Sequence, residues 1–219
     1  MKKIIGFDVD GTLVANIPYS WEEFHRVFDI DRKKLKLYYD LYHNGKISFD
    51  EWGMIDTDLW KEKNLHKTDF VDAIHTYFHL AEGTIEVLET LRTQNYIIAV
   101  ISGSLSIVLE VLIPEYQKYF SHLYIGHLDF DEDGYINKYV SGKLLKNGRE
   151  YKLGELEDIC KKESIPLSQT IFIGDNENDI SALHGAGLGI GFLPRSKKVV
   201  KAANVVIRET NLLKILDYL

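Results

Sequence analysis

Cysteine, proline and methionine are scarce: one, four and two among 219 residues. The single cysteine, Cys160, excludes an intramolecular disulfide and a cysteine-based zinc site. Its setting, LEDICKKE, is helix-like and predicts a buried apolar role. No apolar run approaches the ~20 residues of a membrane span. Eight histidines are scattered without an HxxH or HExxH pair, so no transition-metal site is predicted. Positive charge is also short. The net charge of −7 argues against nucleic acid or an anionic membrane as the main partner. An anionic substrate stays open, because a bound divalent cation reverses the sign locally. The start MKKIIGFDVDG breaks its apolar run after four residues, which does not fit a signal peptide. A reducing, cytoplasmic setting is the expectation. No feature fixes the oligomeric state.

What is present suits one large domain, or a core with a small insert: 45% of residues are apolar and 27% charged. Ile4 to Phe7 reads as a short buried strand. From Pro18 to about Leu80 aromatic and charged residues dominate, and three or four helices are expected with no strand. Ser20 is the expected N-cap of the first, with Glu23 as its capping-box partner. Asn44-Gly45 marks a turn, and Ser48 or Thr68 would cap further helices. Then strand and helix alternate. GTIEVLETLRTQN is amphipathic, with Ile85, Leu88 and Leu91 on one face. Tyr96 to Ser102 is a buried strand, and SLSIVLEVLIPEY is helical up to Pro114. HLYIGHLDF and GYINKYV are strands on either side of the turn DEDG. KLGELEDICKKES is a helix, QTIFIGD a strand, DISALHGAG a helix and LGIGF a strand. VVI precedes a final helix. This alternation predicts an α/β fold: a doubly wound parallel sheet, Rossmann-like, in residues 1–14 and 81–219, with a small helical cap inserted at 15–80.

Ligands of such sheets bind at the carboxyl ends of the strands. Three strand ends carry polar clusters: Asp8-Val9-Asp10-Gly11-Thr12, Ser102-Gly103-Ser104, and Gly174 to Asp179. One acidic strand end is a helix cap; three together suggest phosphoryl transfer. Asp8 would be a covalent nucleophile. Asp10, two residues on and on the same side of an extended segment, would serve as acid and base. Mg²⁺ prefers one or two carboxylates plus phosphate and water, and Asp8 and Asp175 form the natural pair. Ser102 and the amides after it, at a helix N-terminus, would supply donors.

FDVDGT, VISGS and IGDNENDISAL resemble three motifs of the haloacid dehalogenase superfamily, phosphatase branch. The insert is similar to that of its phosphoserine phosphatase-like subfamily, and the resemblance spans about 4 to 208. It implies Asp8 as nucleophile and Asp10 as general acid/base, with the Asp10 backbone carbonyl and Asp175 also binding Mg²⁺. It implies that Ser102 and the Gly103 amide hold the phosphoryl group. Lys152, at the start of a helix, would neutralise that group; Lys143 and Lys146 are rivals in a turn-rich stretch. Asn178 and Asp179 would support metal and phosphate, and Thr12 completes the first motif. The substrate implied is a small phosphorylated metabolite, hydrolysed through an aspartyl-phosphate. A phosphoserine phosphatase proper, a phosphomutase on the same residues, or a non-catalytic phosphate- or metal-binding sensor are the alternatives.

Two departures concern the substrate. Phosphoserine phosphatases carry a cap arginine one or two turns after a phenylalanine, here Phe49; this chain has Asp56 near that place. They also carry an acid soon after the first motif, where this chain reads VANIPYSW. Both amino-acid anchors are absent, which argues against phosphoserine. The aromatic cap residues Tyr19, Trp21, Phe24, Phe49 and Trp52 suit a less polar or larger leaving group, although packing between helices is the commoner use. Asp129 to Gly134 imitates a calcium loop, but Val140 stands at the twelfth position and a hairpin turn is expected. GLGIG reads as close packing of a strand, and Arg195 to Lys198 as surface or a helix start.

Overall fold

The computed structural model describes residues 3–142 and 151–219. The rival lysines Lys143 and Lys146 lie outside the described residues. The first strand, β1 (Ile4–Phe7), is followed by four helices: α1 (Ser20–Val27), α2 (Arg32–His43), α3 (Phe49–Glu62) and α4 (Lys67–Tyr77). After them come α5 (Thr84–Thr93), β2 (Ile97–Leu105), α6 (Ser106–Leu112), β3 (Phe120–Phe130) and β4 (Ile136–Val140). The last part holds α7 (Tyr151–Glu163), β5 (Thr170–Gly174), α8 (Ile180–Gly185), β6 (Leu188–Phe192), α9 (Lys197–Ala202) and β7 (Val205–Ile207).

The seven strands form one sheet in the order β4-β3-β2-β1-β5-β6-β7. All neighbours are parallel except the β3–β4 hairpin at the edge. The central strand β1 pairs β2 on one side, Ile4 against Ile97, and β5 on the other, Ile4 against Thr170. The chain winds outward in both directions from β1, so the β1–β5 boundary is the switch point where such sheets bind ligands.

Period-two alternation divides the core. Ile5 and Phe7 join the layer of Val87, Leu88, Leu91, Val108 and the inserted helices. Ile4 joins the opposite layer with Leu156, Ile159, Phe172 and Leu183. Burial of such side chains contributes about 1.5–3 kcal/mol each before entropy is counted. Cys160 is buried in that second layer, as its setting predicts. The glycines of β6 do pack closely: a Cβ on Gly189 would lie 2.0 Å from the Leu183 carbonyl oxygen.

Local details depart from expectation in five places. Ser20 is the first residue of α1, not its cap, and Glu23 pairs with Arg26. Thr68 lies inside α4, whose cap is His66. Ile85 is 41% exposed, and Val87 takes its place in the core beside Leu88 and Leu91. Helix α6 stops at Leu112, because Ile113 precedes Pro114 and is pushed to φ −132°, ψ 75°. The closing helix is a 3₁₀ run, Leu212–Tyr218. Other signals hold. Ser48 caps α3 in a full capping box with Glu51, an arrangement worth about 1 kcal/mol. The calcium-loop mimic is the β3–β4 turn, where Asp131 Oδ1 accepts from the amides of Asp133 and Tyr135.

Candidate active site

The chain leaves β1 at Phe7, and the Asp8 amide still donates to the Ile173 carbonyl of β5 at 3.0 Å. This pins Asp8 at the switch point. The next residues curl into a tight loop: Gly11 N–H to Val14 O, Thr12 N–H to Val9 O and Val14 N–H to Val9 O. Gly11 sits at φ +78°, and a Cβ there would fall 2.2 Å from Asp175 Oδ2. Only glycine lets the loop pass that close to the carboxylate. Asp175 follows β5, so two strand ends bring Asp8 and Asp175 together.

A third carboxylate completes the group. Asp8, Asp175 and Asp179 each present an oxygen, all within 4.8 Å of one another. Lys152, on the first turn of α7, is fully buried, with Nζ 2.8 Å from Asp8 Oδ1 and hydrogen-bonded to Asp179 Oδ1. Asp179 Oδ2 accepts from the amides of Asp175 and Asn176, each at 3.0 Å. Asp179 is thus committed to holding Lys152 and the loop. Asp175 differs, since neither carboxylate oxygen has a hydrogen-bond partner among the described residues. Arg195 Nε lies 3.9 Å from Asp175 Oδ2. Burial, then the charges of Asp8 and Asp179, hold the Asp175 carboxyl far above the usual range. Hard oxygens gathered this way, with an orphaned carboxylate among them, suit Mg²⁺.

Asp10 has another environment. Its Oδ2 accepts the Ser20 backbone N–H at 2.7 Å. The carboxylate therefore sits at the start of α1, in the position a cap side chain would take. Burial raises its pKa to about 6; the Ser20 amide opposes the rise and the Asp8 charge adds to it.

The site opens into a cavity of about 510 Å³ lined by Asp8, Asp10, Ser102, Gly103 and Asn178 on the sheet side. Ser102 Oγ accepts from the Ser104 amide at 3.1 Å, which leaves the hydroxyl hydrogen to donate elsewhere. Ser102 lies within β2 rather than at a helix N-terminus; α6 begins four residues later. Thr12 is fully buried and is not among the residues lining the cavity.

Several contacts at the site could not be read from the sequence. Trp21 Nε1 donates to the Gly103 carbonyl at 2.9 Å, Ser20 Oγ shares a hydrogen bond with Ser104 Oγ at 2.9 Å, and Asn176 bonds Tyr19. All three join α1, or the residue before it, to the sheet. The opposite wall comes from two stripes, Tyr39, Tyr42 and His43 on α2 and Phe49, Trp52, Gly53 and Asp56 on α3. The spacings i, i+3, i+4 and i, i+3, i+4, i+7 are one helix face each. That periodicity was the available signal. Of the aromatics singled out from the sequence, Phe24 packs in the core, while Tyr19, Trp21, Phe49 and Trp52 line the cavity.

Known proteins resemble the chain along its whole length. The phosphoserine phosphatase of Methanocaldococcus jannaschii is 29% identical over 219 residues, covering 100% of this chain and 98% of that protein. That of Streptococcus thermophilus is 26% identical, covering 100% and 96%. A solved phospho-aspartyl intermediate analogue of phosphoserine phosphatase superposes with a TM-score of 0.75 at 29% identity, covering 100% and 99%. A substrate-bound phosphoserine phosphatase complex gives 0.76 at 27% identity with the same coverage. A family model for haloacid dehalogenase-like hydrolases matches residues 2–187, and the chain belongs to that family.

Proposed function

We propose that this protein hydrolyses a small phosphate monoester through an aspartyl-phosphate formed on Asp8. It is a phosphoric monoester hydrolase. The observation that carries the residue assignment is the split between two neighbouring carboxyls. Asp8 is paired with a buried lysine 2.8 Å away, and Asp10 is raised to about 6. The ion pair suits Asp8 to act as the nucleophile, and Asp10 is poised to exchange a proton near neutral pH.

In the first step an Asp8 oxygen attacks phosphorus. The bond to the leaving oxygen breaks, and that oxygen takes the proton of Asp10. The free alcohol departs. In the second step Asp10, now a carboxylate, takes a proton from water, whose oxygen attacks the same phosphorus. Phosphate leaves and the Asp8 carboxylate is restored. Ser102 Oγ–H, the Gly103 amide and Lys152 bind the phosphoryl oxygens, with Asn178 beside them. Mg²⁺, held by Asp8, Asp175 and the Asp10 carbonyl, would act as a Lewis acid that offsets the phosphoryl charge. Asp179 positions Lys152. Residues 15–80 act as a cap that excludes bulk water while it is closed on the sheet.

Phosphate release from an aryl phosphate tests this reading. Asp8→Asn should lower turnover by more than about a thousandfold. Acid-quenched wild-type protein should carry label from a ³²P-ester that hydroxylamine releases. Near-wild-type turnover in Asp8→Asn would refute the assignment.

A further inference from the structure

The cavity wall formed by α2 and α3 carries chemistry that the hydrolytic step does not use. Asp56 is 3% exposed, yet it lines the cavity. Its Oδ2 faces His25 Nε2 at 3.2 Å, and its Oδ1 has no hydrogen-bond partner among the described residues. His25 does not neutralise it. Trp60 Nε1 donates into His25 Nδ1 at 3.1 Å, which makes that nitrogen an acceptor and fixes the neutral imidazole with its proton on Nε2. Asp56 thus meets a neutral donor on one oxygen and nothing on the other. A buried carboxylate in this state calls for a positive partner.

The neighbouring surface points the same way. Tyr42 and Trp52 stack with ring centroids 4.7 Å apart, Phe49 stands edge-on to both, and Tyr39 stands edge-on to Trp52. All four rings line the cavity. Aromatic faces beside a carboxylate attract ammonium and quaternary ammonium groups through the ring quadrupole. Glu22 adds an exposed negative charge to the lining, and no lysine or arginine lines it among the described residues. A carboxylate on the leaving group would meet Asp56 and Glu22 with no lysine or arginine among the described residues to receive it.

We propose that this wall binds a positively charged nitrogen, so that the substrate is the phosphate ester of an amino alcohol without a carboxylate. The proposal rests on the hydrolytic reading above and names its leaving group. The balance is simple: ester plus water gives the free amino alcohol and phosphate.

The test measures kcat/KM for phosphate release from ethanolamine phosphate and choline phosphate. The comparisons are phosphoserine and dimethylbutyl phosphate, a neutral isostere of choline phosphate with carbon in place of nitrogen. The cationic esters should lead both by about tenfold or more. Asp56→Asn should pull the cationic-to-neutral ratio toward one. A folding defect would instead lower both rates together and leave the ratio intact. Equal or better turnover of the neutral ester or of phosphoserine would overturn the proposal. An aryl phosphate, hydrolysed by wild type and not by Asp8→Asn, reports separately on the hydrolytic reading. Should no ester turn over, tryptophan fluorescence still decides. Quenching by millimolar choline and not by dimethylbutanol supports the cation site, and no difference between them overturns it.

Discussion

Asp10 must hold a proton in one half of the proposed cycle and take one in the other. Its burial, which lifts the carboxyl to about 6, makes both possible. In single turnovers with an alkyl ester, alcohol release should slow as pH rises above about 6, because the acid form is lost. Phosphate release from the intermediate should slow as pH falls below about 6, because the base form is lost. With a nitrophenyl ester, whose leaving group needs no proton, Asp10→Asn should impair the first step far less than with an alkyl ester. Asp175 shows the cost of such a site. A carboxyl whose folded pKa is raised binds its proton more tightly in the native state. At low pH both states are protonated and nothing is lost. As pH rises past the ordinary carboxylate value the unfolded state ionises first, and native stability falls. Asp175→Asn should therefore raise the metal-free melting temperature at pH 8, by about 2–5 °C, and Mg²⁺, which should stabilise the wild type, should add little to the variant. Calorimetry with and without Mg²⁺ checks both. Asp8, Asp10, Ser102 and Asp175 were legible because each sits where a strand stops being apolar. Ser20 was misread because a serine ahead of a helical pattern looks like a cap, whereas the capping acceptor is Asp10, ten residues away and invisible to local spacing.

Helices α1 and α2 divide the work of the inserted segment. Helix α1 is tied to the sheet through Ser20, Trp21 and the preceding Tyr19. Trp21 also stacks on Trp60 at 5.0 Å and meets the Tyr139 edge at 5.5 Å. Trp21→Phe keeps a ring there and loses the N–H to Gly103. It should raise KM several-fold with a small change in melting temperature, whereas Trp21→Ala should cost about 3 kcal/mol of stability through lost packing. Denaturant unfolding alongside kinetics separates the two. Helix α2 buries no residue, in contrast to α4 with Phe70, Ala73 and Ile74. Its amides should exchange with deuterium faster than those of α4, and mass spectrometry of peptides from 32–43 and 67–77 will show it. Four helices are present, and three or four followed from composition and turn signals. Their inward faces did not, because the aromatic stripes on α2 and α3 serve a cavity rather than a core, and periodicity alone does not distinguish the two.

The doubly wound sheet was legible from the alternation of apolar strands with amphipathic helices, which leaves few topologies open once crossovers are right-handed. What alternation did not reveal was how long-range the sheet is. The two partners of β1 begin at residues 97 and 170. During synthesis Ile4, Ile5 and Phe7 emerge before either neighbour, and one edge of β1 waits for residue 97 and the other for residue 170. Wholly buried strands with distant partners fold slowly and aggregate when left exposed. The geometry that sets Asp8 between two strand ends thus defers its assembly until β5 has been made: a ribosome paused before Thr170 would hold Asp8 without Asp175 and with one edge of β1 bare.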